Sequence, residues 1–502
     1  MDYDVIVIGA GVGGLFSALK VSRCGKKVLL LEDRPQPGGY AATFQRKGFT
    51  FEASLHCVDG LGYGQVIREY LEESGIAPEL EFIDLKSFAR LVYPGHEFIA
   101  DFDLGHYVQQ LKKEFPHEAR SMDALFGRFR RFSREFDAFS DSKMPQWLRL
   151  CVSPLAYRSV IAMSMATVAG QLAGIKDQRL AGILMDNWRF LALPPSRLSA
   201  FYFFIVFQGY YAEPTAYVRG GYGRIFEAVV SRLRQLGSTV QYNTRVTKIL
   251  TDAGEKVRGV VTEQGQEYYA KTVISNVNVL DTLGAMLDDE PQRSFYRNKT
   301  AFLEKSISVF QVYLGLNVPA KSLGMDHYML FVNTTYDHEQ NFRYNLAGDF
   351  QKCSLGIVDH AQVDPSLAPP GKGTLLIMAY DTYGRWKGLA PAEYKEKKRI
   401  CAEQLVRRAG QYLPGLHEAI EVIEAATPMT MERYTHSPEG AVYGFAQTVG
   451  QAALNRFPQQ TRVPGLFLAG AWTFPGGGVH GCFYSGMCAA DLALRYVARK
   501  GL

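Results

Sequence analysis

The sequence is poor in cysteine, and what it has is scattered. Cys24, Cys57, Cys151, Cys353, Cys401, Cys482 and Cys488 are seven in 502 residues, with no Cys-x-x-Cys pair. An odd, dispersed set argues against a disulfide framework and a zinc site, and fits a reducing compartment. Long apolar runs are also missing. The most strongly apolar stretch, Ala200 to Phe207, falls far short of the ~20 residues a spanning helix needs. Neither charge dominates: 55 basic residues face 50 acidic ones, a net +5. That balance is too even for a nucleic-acid binder, so no nucleic-acid partner is expected. There is no H-E-x-x-H and no Walker A motif, and no catalytic triad is evident. No basic leader, signal-type segment or transit-type segment precedes the first apolar strand. The expectation is a cytoplasmic protein, soluble or peripheral on a membrane.

What is present is an ordinary globular composition, 47% apolar and 21% charged, with abundant aromatics: 31 Phe, 28 Tyr and 4 Trp. At about 100–200 residues per domain, the length suggests two to four domains. Residues 4–8 read as a buried parallel strand, 12–24 as a helix stopped by Gly25, and 27–31 as a second buried strand. Helical spacing and dense aromatics dominate 65–210. The chain then returns to α/β, with a helix at 224–236 and strands near 239–242, 245–250, 256–262 and 272–275. Strands at 305–316, 327–333 and 374–380 suggest a separate sheet. An amphipathic helix is expected over 391–412, a last buried strand at 466–470, and a closing helix at about 481–499.

Gly9-Ala10-Gly11-Val12-Gly13-Gly14 fits G-x-G-x-x-G and lies between the first strand and its helix. Gly9 allows the tight turn, Gly11 lets the backbone approach a pyrophosphate, and Gly14 lets the helix pack on the sheet. Val12 and Gly13 open the helix, whose free N–H groups and partial positive charge attract phosphate. Glu32 ends the next strand, where its carboxylate can accept two hydrogen bonds from a ribose diol. The context reads as a dinucleotide site.

The residues after Glu32 narrow the choice. Asp33-Arg34-Pro35-Gln36-Pro37-Gly38-Gly39-Tyr40 places a Gly-Gly pair six residues past the acid. This resembles the flavoprotein pattern of the carotenoid (phytoene) desaturase, carotenoid isomerase and retinol saturase superfamily, related to flavin amine oxidases. Two further segments share the resemblance, in the same order. One runs from Tyr217-Val218-Arg219-Gly220-Gly221-Tyr222-Gly223 through Thr244-Arg245-Val246 to Val273-Ile274-Ser275-Asn276. The other is Gly465 to Gly470, Ala471-Trp472-Thr473-Phe474-Pro475-Gly476-Gly477-Gly478-Val479. The resemblance implies FAD. It also implies that Gly38, Gly39 and their neighbours Asp33, Arg34 and Tyr40 wrap the pyrophosphate, that the backbone at Val246 clasps the adenine, and that Gly470, Gly478 and Val479 face the flavin ring.

Within the superfamily the branch stays open. Gly470-Ala471 lacks the acid usual in amine oxidases and looks like bacterial carotenoid desaturases. Phe474 to Val479 is closer to carotenoid isomerases, and Thr43-Phe44, Phe51-Glu52 and Leu55-His56 resemble retinol saturases. The implied activity is hydride transfer at a carbon–carbon bond of a long polyene or isoprenoid. Desaturation, saturation or isomerisation with reduced FAD are the outcomes, and an oxidase of amines or other metabolites is the rival. His56 and His480, from their places in flavin-wrapping segments, are the candidate catalytic side chains, or else structural histidines. Glu52 and Glu213 are weaker base candidates. Cys482 and Cys488 read as small core residues.

The aromatic run at 201–211 reads either as the lining of an apolar tunnel or as plain core. Phe126, Phe129, Phe132 and Phe136 fall at helical spacing among Arg128, Arg130, Arg131 and Arg134. Lys112 to Arg134 holds seven basic and three acidic residues. This is a candidate membrane-facing helix for drawing a lipophilic substrate from a bilayer, or an ordinary solvated face above a Phe stripe. The motif order replaces consecutive domains with two interleaved ones. The expected fold is α/β, with a Rossmann-like FAD-binding domain (1–80, 215–290 and 455–502) interleaved with a mixed-sheet and helical substrate domain (81–214 and 291–454). Oligomeric state is not legible.

Overall fold

The computed structural model describes residues 3–85, 87–140, 156–211, 215–252 and 256–499. Glu213 and Cys151 lie outside the described residues. The short β-branched and leucine-rich runs form one five-stranded parallel sheet, in the order Leu466–Leu468, Val273–Ser275, Val5–Ile8, Val28–Leu31, Thr239–Gln241. All four residues of both Val5–Ile8 and Val28–Leu31 are buried, as expected for strands covered on both faces. The chain leaves Val5–Ile8 through the helix Val12–Arg23 towards one neighbour, while Val273–Ser275 flanks it on the other side. The carboxyl ends of these strands therefore meet at a point where strand order reverses, the place where open α/β sheets bind ligands.

The closing helix, Val479–Arg499, packs along the first helix. The contact is backbone to backbone: a Cβ at Gly486 would lie 2.3 Å from the Gly13 carbonyl oxygen. Residues from the two ends of the chain thus form one wall of the cleft at the Gly-rich turn.

A second sheet of seven strands runs Ile420–Ala426, Ser308–Leu316, Gly373–Asp381, Leu355–Val358, Met329–Val332, Ser87–Tyr93, His96–Asp101. Its pairs are antiparallel except Met329–Val332 with Ser87–Tyr93. Successive side chains on a strand face opposite ways. On Ser308–Leu316, Phe310, Val312, Leu314 and Leu316 enter a core with Cys401 and Leu405 of the helix Pro391–Gly410, while Val309 and Tyr313 join the core on the other face. Both faces are covered, so all nine residues are buried. A third, three-stranded antiparallel sheet comprises Val246–Asp252, Lys256–Thr262 and Glu267–Tyr269.

The structure corrects the helical reading of 65–210 in two places. Phe82–Asp84 is a short strand paired with Ala216–Val218. Ser87–Tyr93 and His96–Asp101 form a hairpin that edges the seven-stranded sheet. The signal was there in Tyr93-Pro94-Gly95-His96, followed by alternation of buried Phe98 and Ala100 with exposed Glu97 and Ile99. The aromatic run forms the helix Ala200–Tyr211. The Phe stripe on Ala119–Ser140 packs against it: Phe129 lies 5.3 Å from Phe204, and Phe132 lies 5.6 Å from Phe201 between ring centroids. That stripe is core, not a lipid-facing surface. The opposite face keeps Arg128, Arg130, Arg131 and Arg134 exposed. No helix among the described residues is long and apolar enough to cross a membrane.

Candidate functional site

A cavity of about 1550 Å³ starts at the Gly-rich turn and runs into the space between the parallel sheet and the seven-stranded one. Gly9, Gly11, Val12 and Gly13 form its floor, with Glu32, Asp33 and Arg34 at one end. Gly38, Gly39, Tyr40 and Val246 line the adjoining walls, and Gly470, Gly478 and Val479 border the inner part. Gly14 does not face the cavity. A Cβ there would lie 2.0 Å from the Gly9 carbonyl oxygen, so its place is under the turn, where it lets the helix approach the strand.

The turn is built for close approach. Gly9 adopts φ +91°, a conformation glycine takes without penalty. Its N–H donates to the Leu31 carbonyl at 2.8 Å, and the Asn276 N–H donates to the Ile8 carbonyl at 2.8 Å, so three strand ends converge. Glu32 accepts from the Ala10 N–H at 2.5 Å and the Arg34 N–H at 2.8 Å, one on each carboxylate oxygen. Burial raises its pKa, opposed by those two bonds. Each oxygen retains a lone pair for a ribose hydroxyl.

Asn276 was not singled out from the sequence. Its side chain fills the space left by three glycines: a Cβ at Gly11, Gly13 or Gly470 would come within 2.5, 2.7 and 2.6 Å of its amide atoms. The Gly-rich turn and the C-terminal turn are therefore fitted around one amide at the strand end. Residues 434–437 are a second unforeseen part of the cleft. His436 Nε2 sits 2.6 Å from Asp33 Oδ2, and Arg34 Nε donates to the Tyr434 carbonyl at 3.0 Å. These pairs tie the segment after Glu32 to residues some 400 positions away in sequence. No local pattern announces such a contact.

The inner turn is held by buried polar groups. Ser485 Oγ accepts from the Gly470 N–H at 3.0 Å, and Tyr202 donates its hydroxyl to the Gly477 carbonyl. The Arg456 guanidinium donates to the carbonyls of Tyr443 at 3.0 Å and Ala471 at 2.6 Å. Burial pushes its pKa down to about 10.

Beyond the turn the cavity becomes an aromatic chamber. Tyr202, Ile205, Val206 and Tyr210 of the helix Ala200–Tyr211 line it, while Phe201, Phe203, Phe204 and Phe207 lie in the core. Both expectations for that run are met, one on each face. Phe190, Phe331 and Met378 complete the far wall. Phe136 and Asp137, at the end of the basic helix, also border the cavity.

His56 and His480 both line the chamber. His480 Nδ1 pairs with Asp59 Oδ2 at 3.0 Å. That bond fixes Nδ1 as the protonated nitrogen facing the carboxylate and leaves Nε2 as the basic one. His56 packs edge-on to Phe190 with its Nε2 against the Met378 sulfur. Burial, with the charges of His360 and Arg189, drives its pKa down to about 3, so it is neutral. Glu52 is not on the cavity. It ends the second strand of the Thr43–Arg46 and Phe49–Glu52 hairpin, accepting from the Tyr217 hydroxyl at 2.7 Å and the Tyr222 N–H at 2.8 Å. Cys482 and Cys488 are half-buried and border the cavity, unlike the core residues their spacing suggested, because that side of the closing helix fronts the cleft.

These features suit a dinucleotide with an aromatic head. A glycine cradle and a helix N-terminus would suit a pyrophosphate, a two-oxygen acid would suit a ribose diol, and the cleft continues into an apolar chamber. Comparison with known proteins agrees. The family model for flavin containing amine oxidoreductases matches residues 12–494. The chain is 29% identical to prolycopene isomerase 2, chloroplastic, of an Oncidium hybrid cultivar, covering 98% of this chain and 84% of that protein. It is 26% identical to the phytoene desaturase (lycopene-forming) of Pantoea ananas, over 97% and 98% of the two chains. It is 25% identical to the all-trans-retinol 13,14-reductase of Danio rerio, over 93% and 82%. Among solved structures, putrescine oxidase bound to putrescine superposes with a TM-score of 0.65 at 17% identity, over 99% of each chain.

Proposed function

The chain belongs to the flavin containing amine oxidoreductases, FAD-dependent enzymes, and on that premise we propose that it desaturates or saturates carbon–carbon bonds of a long polyene or isoprenoid. The observation that carries this reading is the continuity of the cleft: one cavity of about 1550 Å³ joins the dinucleotide turn to the aromatic chamber. Such a chamber suits an extended apolar chain laid beside an aromatic cofactor head. The relatives named for phytoene, prolycopene and retinol support a lipophilic substrate.

FAD, when bound, supplies a hydride acceptor or donor. The rest falls to the chain. The turn at Gly9–Gly13 and Glu32 hold the dinucleotide, and Tyr202, Tyr210, Phe190 and Phe331 position the polyene and exclude water. His480, oriented by Asp59, takes up the proton that leaves the neighbouring carbon in desaturation and returns it in saturation at Nε2. His56, neutral and packed on Met378, shapes the wall. The same reading assigns residues 1–80, 215–290 and 455–502 to FAD binding and 81–214 and 291–454 to the substrate. In its support, all strands of the parallel sheet fall in the first set and all strands of the seven-stranded sheet in the second. Arg130, Arg131 and Arg134, exposed beside Phe136 and Asp137 at the cavity edge, support docking on an anionic membrane surface from which the substrate enters.

A second reading, cis–trans isomerisation without net redox change, is compatible with the 29% identity to a prolycopene isomerase. Product mass separates the readings. The FAD-loaded protein is incubated with a panel of polyenes, once oxidised with a quinone and once reduced without oxygen. Loss of two hydrogens marks desaturation and gain of two marks saturation. Equal mass with altered retention marks isomerisation. Turnover of an amine with peroxide release, and none of any polyene, would overturn the proposal.

A further inference from the structure

Arg189 is a charged side chain in the wall of a mainly apolar and aromatic chamber. Its side chain is 7% exposed, and it packs over the Phe331 ring at 4.4 Å. Asp186, 1% exposed, holds it in a fork: Nε to Oδ2 at 2.9 Å and Nη2 to Oδ1 at 2.7 Å. Nη2 also donates to Asn333 Oδ1 at 3.0 Å. Asp186 is further fixed by the Tyr93 hydroxyl at 2.8 Å and Asn333 Nδ2 at 2.9 Å. Burial opposes ionising Asp186, but the Arg189 charge and hydrogen bonds outweigh it and hold its pKa below the ordinary value. The pair is therefore ionised and rigid.

One nitrogen of this guanidinium is left over. Nη1 has no partner among the described residues, and it is not among the enclosed orphan atoms, so it stays open to the chamber that Arg189 lines. A hydrocarbon filling the chamber would strip water from Nη1 and offer nothing in return, a penalty comparable to a lost hydrogen bond. A carboxylate has a different difficulty. Asp186 already neutralises the guanidinium, and burial pushes the pKa of both nearby histidines, His56 and His338, down. A second carboxylate would leave a buried cluster at net −1. A neutral oxygen accepts from Nη1 without adding charge.

We propose that Arg189 Nη1 anchors a neutral oxygen at one end of the substrate, so that the chamber selects an alcohol, aldehyde or ketone of a polyene over the hydrocarbon or the acid. This deepens, and rests on, the polyene reading. The test uses the FAD-loaded protein and four C20 probes: retinal, retinol, retinoic acid and the parent hydrocarbon. Dissociation constants come from the change in flavin absorption. Retinal or retinol is expected to bind about tenfold tighter than the hydrocarbon, the effect of one hydrogen bond to a charged donor, and tighter than the acid. In the paired variant Arg189→Gln with Asp186→Asn, the preference collapses to near one while bound FAD is kept, with the hydrocarbon binding at least as tightly as before because no guanidinium is stripped of water. Equal binding of retinal, retinol and hydrocarbon by the unaltered protein overturns the inference, as does tightest binding of the acid, and neither outcome needs the variant to fold. A folded, FAD-loaded variant that keeps the preference overturns it too. Failure to bind any of the four defeats the polyene reading together with this inference, whereas equal binding defeats this inference alone.

Discussion

Replacing Glu52 with Gln isolates a buried carboxyl whose effect on stability is set by pH. Glu52 is 2% exposed, its Oε1 accepts two hydrogen bonds, and its Oε2 has no partner. Burial pushes its pKa from 4.5 to about 8, against the lowering effect of Tyr217 and the Tyr222 N–H. Below pH 4.5 the carboxyl is protonated in both folded and unfolded chains and adds no pH dependence. As pH rises from there, the unfolded chain ionises first, so folding is progressively disfavoured until the folded carboxyl also ionises near pH 8. At about 1.4 kcal/mol per pH unit, the loss between pH 5 and pH 8 is on the order of 3–4 kcal/mol. Gln keeps the acceptor for Tyr217 and Tyr222 and cannot ionise. With an unfolding entropy of roughly 2 cal/mol/K per residue, a chain of this length unfolding as one unit shifts Tm by about 1 °C per kcal/mol. Melting curves of both proteins from pH 5 to 8 should therefore diverge by about 3–4 °C, with the variant the more stable at pH 8. Parallel curves, or a variant that loses ground as pH rises, would refute the argument that Glu52 is held protonated by burial.

Other perturbations address the site itself. Gly11→Trp places an indole where the backbone should approach the pyrophosphate and where even a Cβ comes within 2.5 Å of Asn276. It should abolish FAD binding, and a stoichiometric flavin in this variant would show that the cofactor lies elsewhere. Asp59→Asn removes the carboxylate that orients His480. Turnover of a polyene should fall by about 10²-fold or more, the scale of general acid–base catalysis, with bound FAD unchanged. Unaltered turnover would leave the pair structural.

The parts of the site readable from sequence are those that one stretch of chain completes by itself. The turn at Gly9–Gly14 and the acid at Glu32 belong to a single βαβ unit, and their backbone geometry follows from local residue types. The strands 256–262 and 373–381 were legible because their runs are β-branched or apolar and bounded by turns. The hairpin 87–101 was masked by the helical character of its surroundings. Arg189 and His436 escaped notice, and Asn276 was seen only as the end of a family-like segment, because their meaning is tertiary. An asparagine after a strand is unremarkable until three distant glycines are seen to make room for it. Arg189 gains significance only from the buried acid three residues before it and the chamber it borders. The Phe stripe of the basic helix shows the converse: the spacing was right, but helical spacing does not say whether an apolar face meets lipid or another helix.

Whether one cavity brings FAD and a polyene together is read from anaerobic titration of the FAD-loaded protein with a polyene while the flavin band at about 450 nm is recorded. One flavin per chain and a saturable perturbation or bleaching of that band are expected, absent in Gly11→Trp because that variant holds no flavin. Stoichiometric FAD whose spectrum responds to no polyene, oxidised or reduced, would contradict this expectation.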